Sequence, residues 1–459
     1  MTVPFDSCLT HLAAWRARVG GLRSLHDGAW IKAASAFAIR ITNAGLLFVT
    51  QILLARWMGM HDFGVYIFAW TLVIMIGDLV PLGLSFATQR LVPEARHLHD
   101  QSELRGLLFV SKLLPLAVAI VTSVAAIGLV GSFGTWISRM DPAAIAIAML
   151  ALPAYAMCAV LDGIARAFDR VHLALVPPYI VRPLLLVALV AAAHALGLTT
   201  NAETAIVAAV VATSVVAFVQ FILVERVLAR AVAPGPRAFR TRHWLSVSLK
   251  ILGAWGCLTV FTYSDILVLS LFVSPDRIAI YYAATKALAI TSFVSYAVAS
   301  VLGHRFAARE VAGDRAGLER LVAFSVHLTF WPSLVLTGLL LVAGKPILGL
   351  FGPDFTEGYA LIFILALGLI ARAAIGPAER MLTLLGAEGG AAWVYAVAFL
   401  VNISLGFLLI PRFELQGAAL AIAASMIVEA ALLFLMVRRK LGLHAFVVPW
   451  KGSFAPARD

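Results

Sequence analysis

From Ile31 to Arg105 the chain alternates long apolar runs with short polar breaks. The first run covers roughly 33–54 and the second roughly 65–87, and each approximates the ~20 residues a helix needs to cross hydrocarbon. Between them Arg56-Trp57-Met58-Gly59-Met60-His61-Asp62-Phe63-Gly64 leaves room only for a tight elbow at a membrane surface. After the second run come Arg90, Glu94, Arg96, Asp100, Glu103 and Arg105, which cannot lie in lipid. The unit is a transmembrane hairpin with a charged exit, and it recurs. Further spans are predicted near 107–131, 143–163, 174–196 and 203–224, then near 248–272, 278–302, 321–343, 358–376, 391–410 and 416–437.

This pattern predicts an all-α polytopic membrane protein with about 12 transmembrane helices in two six-helix lobes, 31–225 and 248–437. The lobes are joined by a basic linker, 226–247, in which Arg226, Arg230, Arg237, Arg240 and Arg242 surround Pro234-Gly235-Pro236. Residues 1–30, with Arg16, Arg18, Arg23, Leu12 and Trp15, lack the compact apolar run of a signal peptide and suit an interfacial helix. Residues 438–459 read as a polar tail, basic at its start. The second hairpins of the two halves align without gaps: Val65-Tyr66 falls on Ile280-Tyr281, Ala69 on Ala284, Ser85 on Ser300 and Arg90 on Arg305. The identities alone are few, and the shared order of elbow, span and basic exit strengthens them. Six spans per half give the lobes one orientation, so a pseudo-two-fold axis between them runs along the membrane normal.

Composition fixes the solvent. With 62% hydrophobic and 13% charged residues and a mean hydropathy of +0.96, the chain is too apolar for a water-soluble globule. The net charge of +11 reports topology. Of 35 Lys and Arg, only Arg56, Arg139, Arg277, Lys345 and Arg412 fall in loops after odd-numbered spans. Four are counted deep inside spans, and the rest lie in the termini, the even-numbered loops and, for Lys112 and Lys250, the even-side ends of spans. By the positive-inside rule the even-loop face and both termini are cytoplasmic, and no nucleic-acid partner is implied. Cys8, Cys158 and Cys257 build neither a disulfide framework nor a metal site.

The segments LLARWMGMHDFGVYIFAW and LGLSFATQRLVPE in the first hairpin, GKPILGLFGPDFTEGYALIFILALG, and LIPRFELQGAALAIA resemble polysaccharide-biosynthesis membrane proteins. These are the Wzx-type lipid-linked oligosaccharide flippases of the MATE-like (multidrug/oligosaccharidyl-lipid/polysaccharide, MOP) superfamily. The likeness covers most of the chain. It implies alternating-access transport of a polyprenyl-pyrophosphate-linked oligosaccharide across a bacterial inner membrane, for polysaccharide or O-antigen export. Membrane lipids, and polysaccharide polymerase or glycosyltransferase proteins, are the implied partners.

Ionisable residues inside the spans carry the chemistry, because a charge at mid-bilayer costs about 2.5–3.5 kcal/mol even on lenient scales. The cations are Arg182, Arg372, Arg40 and Lys286; the anions are Asp78, Asp265 and Glu429. Asp162 and Glu379 sit near span ends. One reading is mutual neutralisation at matched depth: Arg40 with Asp78, Lys286 with Asp265, Arg182 with Glu429. The other is a wet, cationic cavity in which Arg182 and Arg372, then Arg40 and Lys286, hold the phosphates of the lipid carrier. There the carboxylates are charge partners or coupling-ion sites. Pro177, Pro178 and Pro183 bracket Arg182, a poor helix segment tolerable only against protein or water.

Catalysis finds little support. The chain has no P-loop, no GxSxG and no HExxH, and its largest internal loop is merely basic. No cofactor is expected. His97-Leu98-His99 lacks further ligands at metal spacing, and Gly386-Ala387-Glu388-Gly389-Gly390 reads as a turn. The alternatives are a cation-coupled exporter of drugs or small molecules and a membrane enzyme acting on polyprenyl-linked sugars. The excess of cations over anions in the spans weighs against an exporter of cations, and the missing catalytic loops weigh against the enzyme.

Overall fold

The computed structural model describes residue 35 and residues 37–130, 140–384 and 388–447. The interfacial helix expected within 1–30, Arg139, and residues 448–459 lie outside the described residues. Among those described, every regular element is helical. Eleven stretches are long and apolar enough to cross a bilayer. In order, α1 is Phe37–Met58, α2 Met60–His97, α3 Gln101–Val130, α4 Pro142–Ala167, α5 Val171–Ala195 and α6 Ala202–Ala231. Then come α7 Thr241–Ser270, α8 Pro275–Ala299, α9 Arg315–Gly349 and α10 Pro353–Leu382.

The last stretch, Ala392–Leu441, has 50 residues. As a straight helix it would measure about 75 Å, more than twice the ~30 Å hydrocarbon core. It reverses instead. Glu414 takes φ 44° and ψ −120°, and the Leu409 carbonyl oxygen lies 2.4 Å from where a Cβ on Gly417 would stand, an approach no continuous helix allows. Its arms, 392–413 and 415–441, are α11 and α12, so the described residues make twelve crossings.

Several helices are broken inside the bundle. α2 pauses between Leu79 and Leu84, where Leu82 and Gly83 take positive φ after Pro81. α10 pauses after Ala373, at Gly376 (φ 59°) and Pro377. The proline cluster of α5 widens the helix without ending it. Pro177–Val181 forms one π-type turn that leads directly into Arg182–Ala195. Pro177 has no N–H to offer the carbonyl four residues back, Leu173. That carbonyl is satisfied by the side-chain amide of Gln220, a fully buried residue of α6, at 3.1 Å.

The hydrophobic cores are arranged unequally across the membrane. Toward the odd-loop face one continuous core joins both halves, packing Phe63, Tyr66 and Phe68 of α2 with Ile278 and Tyr281 of α8, Phe351, Phe355 and Leu361. The repeat register carries into it, since Tyr66 and Tyr281, and Ala69 and Ala284, are all buried. Toward the even-loop face there are two cores. One gathers α2, α3, α4, α6 and Trp244; the other gathers Ser292–Val311, the continuation of α8, with α9, the end of α10, and α12. The outward residues of the bundle, such as Val121 and Val342, are apolar and exposed, as lipid contact requires.

Two segments pack more closely than their composition suggests. The linker is tied to α3: Arg105 donates to the carbonyls of Pro236 (2.7 Å) and Ala233 (2.8 Å), and Ala238 N–H donates to Ser102 O (2.9 Å). Glu103 accepts from Trp244 Nε1 (3.2 Å) and pairs with Arg240 (3.1 Å). The polar tail expected after 438 turns inward, with Leu443 and Ala445 buried and Val447 N–H bonded to Ala374 O at 3.0 Å. That bond caps a carbonyl freed by the break in α10.

Candidate functional site

On the even-loop side lies a cavity of ≈ 420 Å³, walled by Tyr296, Arg372, Glu379 and Arg380 among other residues of the second half and by Arg40 of the first. Distances along the helices place the sequence-predicted cations on two levels. Lys286 of α8 and Arg182 of α5 lie about 16 and 20 Å from the odd-side ends of their helices; Arg40 of α1 and Arg372 of α10 lie about 27–29 Å away.

Each cation has a distinct setting. Arg40 sits between two aromatic rings, Tyr179 of α5 at 5.3 Å and Tyr296 of the α8 continuation at 5.4 Å, one from each half. It is not paired with Asp78, as matched depth suggested. Arg182 stacks on Tyr155 of α4 at 5.5 Å, and the Tyr155 hydroxyl donates to Asp78 at 3.3 Å. The π-type turn Pro177–Val181 carries Tyr179 and runs directly into Arg182. Lys286 lies over Tyr282 at 4.8 Å and within electrostatic reach of Asp265. Asp265 accepts from Tyr281 at 2.8 Å and from the Ile266 N–H at 2.8 Å. Arg182 and Tyr282, from opposite halves, both act on Tyr66, so this level too is shared between the halves. Arg40, Arg182 and Lys286 are half-buried and form no ion pair among the described residues.

Arg372 differs. Its Nε lies 3.4 Å from Glu429 of α12 and a terminal nitrogen 3.8 Å from Glu379. Depth alone pairs Glu429 with Arg182; the structure corrects this, placing Arg182 over Tyr155 and Glu429 against Arg372. Depth supplies one coordinate, and position around the bundle decides the partner. A further cation, half-buried, stands within a predicted span. Lys112, counted with the even-side residues, lies inside α3 and is bonded to Glu225 of α6. Glu225, near the same face at the end of a span, was the available signal.

At the odd-loop end the halves are closed by direct contacts. Arg56 Nε donates to Leu350 O at 2.6 Å, and His61 Nδ1 lies 3.1 Å from Asp276. Phe63 touches the rings of Tyr282, Phe351 and Phe355 at 6.1–6.4 Å between centroids. Gly64 permits the closest approach: a Cβ there would stand 1.9 Å from the Pro275 carbonyl oxygen. A cavity at which Arg40 of the first half meets cations of the second, with the opposite face of the bundle sealed, is the architecture of a transporter.

Comparison with known proteins agrees. Residues 29–307 match the family model "Polysaccharide biosynthesis protein", and the chain belongs to that family. It is 26% identical over 177 residues to the probable low-salt glycan biosynthesis flippase Agl15 of Haloferax volcanii, an alignment spanning 38% of this chain and 37% of that protein. The chain thus covers little more than a third of that relative's length. Among solved structures, it superposes on the lipid II flippase MurJ in an inward closed conformation with a TM-score of 0.72 at 14% identity, covering 88% of this chain and 87% of that one. It also matches an inward-facing multidrug resistance MATE family transporter with a TM-score of 0.70 at 13% identity, covering 88% and 98%. The fold is that of the MOP superfamily.

Proposed function

We propose that this protein flips a lipid-linked oligosaccharide, with its anionic headgroup held by the cations between the two halves. The observation that carries this reading is the stair of basic residues: Arg40 and Arg372, with Arg380, on the cavity wall, and Arg182 and Lys286, off that wall, nearer the odd-loop ends of their helices. The guanidinium fork suits phosphate oxygens, and a carrier bearing a pyrophosphate would find successive partners while its lipid tail stays in the bilayer. Membership in the polysaccharide biosynthesis family supports a glycan cargo. The polyprenyl-pyrophosphate carrier, a bacterial inner membrane, and polymerase or glycosyltransferase partners belong to this reading. So does the orientation, with the even-loop face and both termini cytoplasmic, which rests on the positive-inside bias. The lobes 31–225 and 248–437 would then rock about the linker, and the present state faces the cytoplasm. A cation exporter is less well supported, because Arg40, Arg372 and Arg380 outnumber Glu379 on the cavity wall.

The test is flipping in proteoliposomes, read as loss of a polyprenyl-pyrophosphate oligosaccharide from an impermeant glycosidase. Arg182→Ala should slow flipping at least tenfold with unchanged abundance and thermal stability. Arg182→Lys should fall between, since it keeps charge and loses the fork. Flipping by Arg182→Ala at the wild-type rate would remove this residue from the path. Efflux of a cationic dye without lipid movement would favour the exporter.

A further inference from the structure

Gly368 of α10 would bring a Cβ within 3.0 Å of Ala423 Cα and 3.1 Å of the Met426 sulfur on α12, so these helices touch almost backbone to backbone. One turn further toward the even-loop face, that contact sets Arg372 opposite Glu429. The two side chains have unlike surroundings: Glu429 is fully buried, whereas 41% of the Arg372 side chain remains accessible and faces the cavity. Neither carboxylate oxygen of Glu429 accepts a hydrogen bond. At 3.4 Å, its link to Arg372 is charge attraction without a well-formed bond. The charged and titratable groups acting on Glu429 from neighbouring elements are Arg372 and Glu379 of α10 and Tyr395 of α11. Arg372 is the one cation among them.

We infer that Glu429 is a positioning residue that competes with the anionic headgroup for Arg372, and that it takes up a proton when the headgroup draws Arg372 into the cavity. This rests on the flippase reading and deepens it. A bare carboxylate at this depth is costly. Transfer of the guanidinium to phosphate therefore leaves Glu429 to be neutralised, and water in the cavity supplies the proton. In reverse, loss of that proton restores the carboxylate, which pulls Arg372 back and weakens its hold on the phosphate. Proton and headgroup binding are thereby linked with the same sign.

The experiment titrates the purified full-length protein with inorganic pyrophosphate by calorimetry. Two buffers of different ionisation enthalpy count protons, corrected for the ligand's own titration. Wild type should take up close to one proton per ligand and bind up to tenfold tighter for each unit of acidification in the range where Glu429 titrates. Glu429→Gln should bind at least as tightly at neutral pH, with proton uptake abolished and the pH profile flattened. Uptake near zero in wild type, or an unchanged profile in Glu429→Gln, overturns the inference. The wild-type count serves even where Glu429→Gln fails to fold. Arg372→Ala separates the two readings. If it binds pyrophosphate as wild type does while Arg182→Ala does not, the cavity stands and the competition falls. If neither substitution weakens binding, the flippase site itself is wrong.

Discussion

The two ends of the bundle are built from different materials. At the odd-loop end the halves meet chiefly through aromatic rings and a backbone contact, with a single core running through both and polar links from Arg56 and His61 at its edge. At the even-loop end each half closes on its own core, and the cavity on that side is walled by Arg40, Arg372 and Arg380 with Tyr296 and several serine and threonine hydroxyls. A dry contact of rigid groups has few intermediate states, whereas a wet, charged wall can exchange partners with small movements. The seal is therefore the part that must switch, and the cavity the part that must adapt.

The largest effect is expected where the seal is tightest. Gly64→Leu puts side-chain atoms where the Pro275 carbonyl already stands, and overpacking of this kind costs about 1–3 kcal/mol or more. The closed odd-loop end should lose population. In a background without native cysteines, labelling of Lys286→Cys by an impermeant thiol reagent from the odd-loop side should rise severalfold. Unchanged labelling and an unchanged melting temperature would mean that this contact does not hold the seal.

A second intervention locks the same end. His61→Cys with Asp276→Cys replaces a contact between the halves, and a short cleavable bis-thiol reagent across them should stop flipping until it is cut. Undiminished flipping in fully crosslinked protein would show that the seal never opens. The smallest effect is expected at the rim. Arg277 bridges Glu357 at 2.9 Å and Glu414 at 2.7 Å, but all three side chains are more than a third exposed. Such pairs are worth about 0–1 kcal/mol each. Arg277→Ala should lower the melting temperature by no more than about 3 °C, and 0.5 M salt, on the order of a Debye length of a few Å, should erase the difference. A larger loss would give Arg277 control of the reversal at Glu414.

Much of this architecture was legible in the chain because lipid tolerates only one way of satisfying a backbone. The reversal between α11 and α12 fell where Pro411 to Glu414 interrupt the apolar run. Helix lengths were less legible: α9 extends well past 321–343, to Arg315–Gly349, because a helix can continue beyond the bilayer once formed. The cations were found as residues but not as neighbours. Tyr155 beside Arg182, or Gln220 completing the backbone of α5, depends on azimuth around the bundle, which hydropathy does not encode. The strapped linker was hidden for a similar reason, since its bonds run from Arg105 to backbone carbonyls that carry no side-chain signature.

That strap has a mechanical consequence. Held to α3 through Arg105 and Glu103, the linker carries its fastening to the foot of α7, so any pivot lies at the start of that helix. With 30 residues, α7 is a lever about 45 Å long. Tilting it by ~10° would sweep its far end through ~8 Å, wider than a phosphate group, while its foot scarcely moves.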